Sequence, residues 1–314
     1  TPCSFFMRMF LTGFQHPIVL RFGSLDLVRG DWRLYEQQLD KMAGTGTLTA
    51  SAVNIEENSE KEPVNYVVPP GIDRIQDPAQ PQVVMSNEQA LDLVVENLSR
   101  GESKAVYKNT TIDMRQYRRL EMFVHANALR QDVTDLKDDQ IAVFIRLGSD
   151  YKNNYYEYEV PLKLTPPGHY DQRTPSQRAM VWPRENMIDI PIQLFTDLKK
   201  ARNKSRTEGN ASFNTEFSIY DPNNPANRTT IKGNPTLGEV KTMIIGVRNK
   251  SPEPKSGEVW VNELRLKEYD NKGGWAAQGN LNVQLSDLGT VNVQGRHVAQ
   301  GFGNLEQGIQ ERAN

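Results

Sequence analysis

The side chains that most often carry chemistry are few in this sequence and widely spaced. Its four histidines lie far apart, and none has the His-Glu-x-x-His spacing of a helical zinc site. One of them, His125, falls on the outer face of a strand pattern, where we expect an exposed or hydrogen-bonded ring rather than a metal ligand. The sequence also lacks a nucleophile elbow, a P-loop and a dinucleotide-binding fingerprint. The single cysteine, Cys3, can form no internal disulfide. We therefore predict no catalytic, cofactor-binding or metal-ligating residues and a protein that is not an enzyme.

Aromatic and acidic side chains leave a sugar-binding function open. Tyr151, Tyr155 and Trp182 belong to an aromatic concentration of the kind that stacks on sugars, and they form the candidate glycan platform. Tyrosine is equally typical of half-buried strands. Glu157 and Glu159 have a spacing that could flank a sugar, but their alternation with aromatic residues favours a solvated strand face. The alternative function is therefore a carbohydrate-binding module of a cell-surface protein.

Two turns carry the oxygen ligands that Ca²⁺ prefers: Asp150 with Asn153 and Asn154, and Asp221 with Asn223 and Asn224. The same residue types are equally expected as turn formers. Calcium is therefore an alternative at these turns, and we expect no other cofactor.

Charge and hydropathy exclude several classes of partner. The 314 residues carry 37 basic and 39 acidic side chains, a net charge of −2, which supplies no overall field for nucleic acid. A mean hydropathy of −0.62 and the absence of a long apolar run exclude a transmembrane helix, but not transmembrane strands. Because residue 1 is Thr, we interpret the sequence as an internal piece of a longer chain.

Alternation with a period of two dominates the middle of the chain and predicts a mainly β, jelly-roll-like antiparallel sandwich over residues 86–270. The alternative is a single continuous sheet. Nine side chains are predicted to face the core: Ile141, Val143, Ile145, Tyr156, Tyr158, Val160, Ile188, Ile190 and Ile192. The stretch from Ser86 to Leu98 is predicted to be a strand, and Thr196 is predicted to cap a short helix that ends at Arg202.

The flanks differ from this sandwich. Residues 1–35 are predicted to be closing strands of a preceding β unit, and 36–85 an extended connector with one strand at Thr47–Ile55. In 271–314, small or apolar residues alternate with polar ones from Trp275 to Leu285, a turn covers Ser286–Gly289, and a return strand begins at Val291. An eleven-residue amphipathic strand that begins with Trp matches a transmembrane β-strand in length and pattern, and a soluble hairpin is the alternative.

Several strings together resemble the SprA (Sov) family: Leu27-Val-Arg-Gly-Asp-Trp-Arg33, Asn54-Ile-Glu-Glu-Asn-Ser59, Pro63-Val-Asn-Tyr-Val-Val-Pro-Pro-Gly-Ile72, Asp113-Met-Arg-Gln-Tyr117, Val181-Trp-Pro-Arg-Glu-Asn-Met187, Trp260-Val-Asn-Glu-Leu-Arg-Leu266 and Gly301-Phe-Gly-Asn-Leu-Glu306. That family comprises giant outer-membrane β-barrel translocons of type IX secretion in Bacteroidetes, which also serve gliding motility.

The resemblance implies a non-catalytic structural segment at the outer membrane or cell surface. It implies that the sandwich is a domain inserted into a large barrel, to which the strands after Trp275 belong. The implied partners are the rest of the same long chain, a PorV-like shuttle protein, a plug protein and secreted cargo proteins. No nucleic acid is expected among them.

Overall fold

A computed structural model describes residues 32–39, 44–74, 87–269, 275–287, 289–299 and 302. Strands account for 47% of these residues and helices for 11%, which confirms the predicted mainly β class. No helix in these ranges has both the length and the apolar composition needed to cross a membrane. Cys3, His16 and the strands predicted within residues 1–31 lie outside the described residues.

The described strands are, in chain order, β1 (Arg33–Leu34), β2 (Thr47–Asn54), β3 (Gln89–Leu98), β4 (Ser103–Ile112), β5 (Tyr117–Asn127), β6 (Ile141–Gly148), β7 (Tyr155–Pro161), β8 (Ile188–Pro191), β9 (Phe217–Tyr220), β10 (Arg228–Lys232), β11 (Val240–Asn249), β12 (Lys255–Tyr269), β13 (Ala276–Leu285) and β14 (Gly289–Val298). The α-helices are α1 (Pro175–Val181) and α2 (Gln193–Thr207), and single 3-10 turns lie at Met114–Gln116 and Arg184–Asn186.

Two antiparallel sheets form the sandwich. The seven-stranded sheet has the order β1-β4-β11-β6-β7-β10-β9, and the five-stranded sheet has the order β2-β3-β12-β5-β8. A third sheet contains only β13 and β14. Because successive side chains of a strand point to opposite faces, each large sheet sends one set of residues into the shared core and the other set outwards.

All nine side chains that the alternation assigned to the core are buried in one cluster between the two sheets. Ile145 pairs with Tyr158 across β6 and β7, and Ile190 pairs with Leu120 across β8 and β5. The predicted register of these strands is therefore confirmed. Apolar burial of this kind contributes roughly 1.5–3 kcal/mol for each fully buried large side chain.

The helix prediction was wrong at both ends. Helix α2 begins at Gln193, three residues before Thr196, and continues to Thr207 rather than stopping at Arg202. Its N-cap is Ile192, whose side chain offers no hydrogen bond, so Thr196 is an ordinary first-turn residue. The helix is positioned by packing instead, since Phe195 and Leu198 are buried in the sandwich core.

The strand predicted at Thr47–Ile55 forms, as β2, and the stretch from Ser86 forms a strand from Gln89. However, β2 pairs with β3 over its whole length and is thus an integral strand of the five-stranded sheet. Strand β1 likewise pairs with β4. The sandwich therefore also uses residues that precede the predicted boundary at 86, while the division of the chain into four units stays a prediction.

Candidate functional site

The hairpin of β13 and β14 presents a row of exposed apolar side chains. The exposed fractions of its members run from 36% to 60%: Trp275, Leu281, Val283, Leu285, Val291 and Val293. Leu281 lies opposite Val293 and Val283 lies opposite Val291, so these side chains share one face. The other face carries polar pairs such as Asn282 and Asn292. The alternation predicted from Trp275 is thus confirmed as a hairpin with one apolar and one polar face.

This hairpin has no neighbouring strand among the described residues. No other described strand pairs with either of its edges, and an isolated two-stranded hairpin is marginally stable in water. The chain reverses at the predicted turn, where Gly289 has a φ of 130° that suits glycine. At the other end, the rings of Trp275 and His297 lie 4.8 Å apart. The hairpin therefore offers an apolar surface and two strand edges to whatever completes it.

Glu157 and Glu159, expected on a solvated face, are instead buried, with 3% and 2% of their surfaces exposed. They belong to a cluster of Arg146, Glu157, Glu159 and Arg248 on the seven-stranded sheet, which we call sheet A; we name it the sheet-A ion cluster. Arg146 Nη2 lies 2.6 Å from Glu157 Oε2, and Arg248 Nη1 lies 2.9 Å from Glu157 Oε1. Arg248 also pairs with Glu159. The expected solvated face was wrong, because the outer side of the seven-stranded sheet is buried here as well.

The arginines keep both carboxyl groups of the sheet-A ion cluster ionised. Burial by itself would raise the pKa of Glu157, but Arg248 and Arg146 outweigh it and hold this pKa well below its usual range. The pKa of Glu159 is also lowered, with Arg248 again the largest favourable influence against burial. Two carboxylates saturated by arginines cannot act as the acid and base of a glycosidase pair. Their arrangement is structural.

A second polar cluster lies on the outer side of the five-stranded sheet. Lys61 Nζ lies 2.5 Å from Glu258 Oε1 and 3.3 Å from Asp92 Oδ2, so one ammonium bridges two carboxylates. Trp260 Nε1 donates to Glu258 Oε1 at 2.7 Å. Lys61 lies between β2 and β3 in the chain, and its bridge fixes this segment against the sheet.

His125 lies against this second cluster and is fully buried. Its ring stacks on Trp260 with the centroids 3.9 Å apart, and its Nδ1 donates to the carbonyl oxygen of Val181 at 2.7 Å. Burial lowers the pKa of His125 to about 4 despite its hydrogen bonds. Of the two predicted states, exposed or hydrogen-bonded, the structure shows a hydrogen-bonded ring that is buried.

Asp92 and His125 shift stability in opposite directions over one pH range. Burial and the nearby Glu258 raise the pKa of Asp92 from 3.8 to about 6. Asp92 therefore adds to the free energy of unfolding fully below pH 3.8, and this addition is lost as the pH rises through 6. The pKa of His125 is lowered from 6.5 to about 4. His125 therefore adds to the free energy of unfolding above pH 6.5, and this addition is lost as the pH falls through 4. When the pH falls from about 6.5 to about 4.5, Asp92 raises the free energy of unfolding by about 2 kcal/mol and His125 lowers it by about 2 kcal/mol. The two effects therefore nearly cancel.

We expect Asp92→Asn to make the chain more sensitive to acid. Between about pH 6.5 and pH 4.5, its free energy of unfolding should fall by about 2 kcal/mol more than that of the wild type, because His125 then titrates without compensation. Urea unfolding at the two pH values measures this difference. The control is Ser51→Ala, which removes the 3.1 Å hydrogen bond to Asp92 but keeps the carboxyl group. Parallel losses in Asp92→Asn and wild type would contradict the opposed titrations.

The structure does not bring the candidate glycan platform together. Tyr155 and Trp182 are only 2% and 3% exposed. Trp182 donates to the Val67 carbonyl oxygen within one hydrophobic cluster, whereas Tyr155 stacks under Arg146 in the sheet-A ion cluster. Tyr151 packs against Tyr35 and Tyr107. The three side chains therefore offer no shared exposed surface for a sugar ring.

The carboxylates of the two Asp/Asn turns are engaged by hydrogen-bond donors. Asp150 Oδ1 accepts the backbone N–H groups of Lys152, Asn153 and Asn154, and its Oδ2 accepts the Asn154 side chain. Asp221 accepts the N–H of Asn223 and the hydroxyl of Tyr158. These carboxylates therefore already act as hydrogen-bond acceptors, chiefly within their own turns. In the described part of the chain, no group of three His, Cys, Asp or Glu side chains has the geometry of a metal site.

Comparison with known proteins gives one family. No curated protein matches the sequence. One solved structure that matches is a carbohydrate-binding module described for its specific mannan recognition. It is 13% identical and covers 57% of this chain and 72% of its own. Its TM-score of 0.24 is too low to support an argument. A family model, SprA_N, described as motility related/secretion protein, matches residues 4–314. Since this match spans nearly the whole sequence, the chain belongs to the SprA_N family of motility-related and secretion proteins.

Proposed function

We propose that this chain is a non-catalytic structural segment of an outer-membrane translocon that secretes proteins by the type IX route and serves gliding motility. The observation that carries the proposal is the exposed amphipathic hairpin of β13 and β14, which has one apolar face and no further strand beside it among the described residues. Membership of a motility and secretion family supports it.

The hairpin has the dimensions of a membrane-crossing pair of strands. Both β13 and β14 contain 10 residues, and a tilted strand needs about 9–11 residues to cross a bilayer. In such strands the apolar face meets lipid, the polar face meets the lumen, and aromatic residues lie at the interface. Trp275, at the end of the hairpin, has the position of an interfacial residue. The proposal therefore places the hairpin within a larger membrane sheet of the same long chain.

The sandwich has the properties of a rigid inserted domain. The buried charged groups of its sheet-A ion cluster pair with one another and are not presented to cargo. The near-zero net charge suits the passage of varied cargo proteins, because a strongly charged surface would retain proteins of opposite charge. In this proposal the domain lies at the bacterial outer membrane or surface, and a PorV-like shuttle and a plug protein are its partners.

The hairpin proposal predicts that charge is tolerated on one face only. In the parent chain, Leu281→Arg with Val293→Arg would place two guanidinium groups in lipid, at a cost of about 2–4 kcal/mol each near the bilayer centre. We expect loss of the protein from the outer-membrane fraction and loss of secreted type IX cargo from the medium. The matched control is Asn282→Arg with Asn292→Arg, a cross-strand pair on the polar face, which should leave both quantities close to wild type.

Two results would contradict this function. Normal secretion and membrane fractionation of the Leu281/Val293 variant would show that the apolar face does not meet lipid. Equal loss in both double variants would show that the hairpin merely tolerates no arginine, and that its two faces do not differ in environment.

A further inference from the structure

The edges of the two large sheets are unequal. Strand β1 has 2 residues, β8 and β9 have 4 each, and β8 ends in Pro191. Strand β2, by contrast, has 8 residues and contains no charged side chain and no proline. Sheet edges are ordinarily kept from pairing with other chains by short length, charge, proline or bulges. Strand β2 has none of these protections.

The outer edge of β2 carries backbone N–H and C=O groups that pair with no described strand. Ile55 N–H donates to the carbonyl oxygen of Glu88, and hydrogen-bonded pairs alternate along an antiparallel ladder. Residues 47, 49, 51 and 53 therefore bond to β3, whereas the N–H and C=O groups of Leu48, Ala50 and Ala52 point away from it. Asn54 N–H, next in this outward set, bonds to Asn58 Oδ1 at 2.9 Å. No described strand pairs with the other three residues.

The side chains beside this edge leave the core incompletely covered. Leu48 and Ala50 pack against the sandwich core but are only partly buried. On the facing sheet, Leu34 pairs with Val106, a core residue, yet 47% of Leu34 is exposed. An additional strand beside β2 would cover these apolar side chains with its own inward-facing residues.

The outward side of the same edge carries one exposed carboxylate, that of Glu96. Thr47 donates from its hydroxyl to Glu96 Oε2, and Glu96 is exposed on the neighbouring strand. Because the outward residues of β2 at this end are the small Thr47 and Thr49, a long basic side chain on an added strand can reach over them to Glu96.

We propose that the β2 edge binds an extended strand of a partner protein by β-augmentation. The bound strand alternates apolar side chains, opposite Leu48 and Ala50, with Lys or Arg side chains on the outward face towards Glu96. Main-chain hydrogen bonds supply affinity, and the alternation supplies selectivity. This inference is independent of the membrane role proposed for the hairpin.

The test uses the 314-residue chain and an eight-residue, end-capped peptide of alternating valine and lysine. We expect binding by calorimetry, with the amides of Leu48, Ala50 and Ala52 becoming protected from hydrogen exchange. Ala50→Pro removes an outward N–H while leaving the ladder to β3 intact, so it should keep the melting temperature and weaken binding at least about tenfold. Thr49→Val, which leaves the edge backbone unchanged, is the matched control and should bind as wild type does.

Two further peptides keep the result decisive if Ala50→Pro disturbs folding. A peptide N-methylated at every second residue, so that it cannot pair, should not bind, and one of alternating valine and glutamate should bind more weakly. Absence of binding, or equal binding of the N-methylated peptide, would overturn the proposal. So would self-association of the chain that is abolished by Ala50→Pro while the peptide fails to bind, because the edge would then serve a second copy.

Discussion

Ile190→Asp is expected to unfold the sandwich. Ile190 lies in the middle of β8, fully buried in the apolar core and paired with Leu120, so an introduced carboxylate would lie among apolar side chains. The substitution removes about 1.5–3 kcal/mol of apolar burial and adds several kcal/mol for a buried polar group without a partner. Together these costs approach the 5–15 kcal/mol that typically hold a domain folded.

Circular dichroism and thermal unfolding measure this outcome. We expect no cooperative transition for Ile190→Asp at neutral pH. Ile190→Val is the matched control, because it keeps an apolar β-branched side chain and should cost about 0.5–1.5 kcal/mol. An unchanged melting temperature for Ile190→Asp would mean that the side chain faces solvent and that the register of β8 is wrong.

Arg248→Met is expected to destabilise the chain by about 3–5 kcal/mol, the usual cost of removing one partner from a buried ion pair. Arg248 contacts both Glu157 and Glu159, and its guanidinium also lies over the Phe144 ring. Methionine retains much of the packing but leaves Glu159 dependent on the partly exposed Arg228 and Lys250. The loss is therefore electrostatic rather than a loss of volume.

Urea unfolding of Arg248→Met and of Arg228→Met separates this effect from a general loss of charge. Arg228 also pairs with Glu159, at 3.0 Å, but its side chain is 35% exposed, so its removal should cost about 1 kcal/mol or less. If both variants lost the same free energy of unfolding, burial would not make the Arg248 ion pairs more stabilising than the exposed Arg228 pair.

The sheet-A ion cluster predicts that acid lowers the free energy of unfolding. Because the folded-state pKa of Glu157 and Glu159 is lowered, their contribution is present above the ordinary pKa of 4.5 and is lost as pH falls below it. In Arg248→Met this acid-dependent loss should be smaller than in wild type, since the arginine that lowers both values is gone.

Much of the fold could be predicted from alternation alone. The period of two along β6, β7 and β8 identifies residues such as Ile145, Tyr158 and Ile190 as one buried set, because side-chain direction in a strand follows from backbone geometry. The same reasoning identifies the two faces of the hairpin. Helix α2 was harder, since its ends depend on the packing of Phe195 and Leu198 rather than on a capping residue.

What alternation cannot decide is whether the second face of a sheet is also covered. Glu157 and Glu159 alternate with core residues as a solvated face would, yet tertiary packing buries them with Arg146 and Arg248. Phe144, at an outward position beside them, was a signal of this second covered face. Tyr155 and Trp182 are also buried, each in a different cluster, so neither side chain is available to a ligand. A local pattern specifies which side chains share a face, whereas burial depends on segments distant in the sequence, and only the tertiary structure brings those segments together.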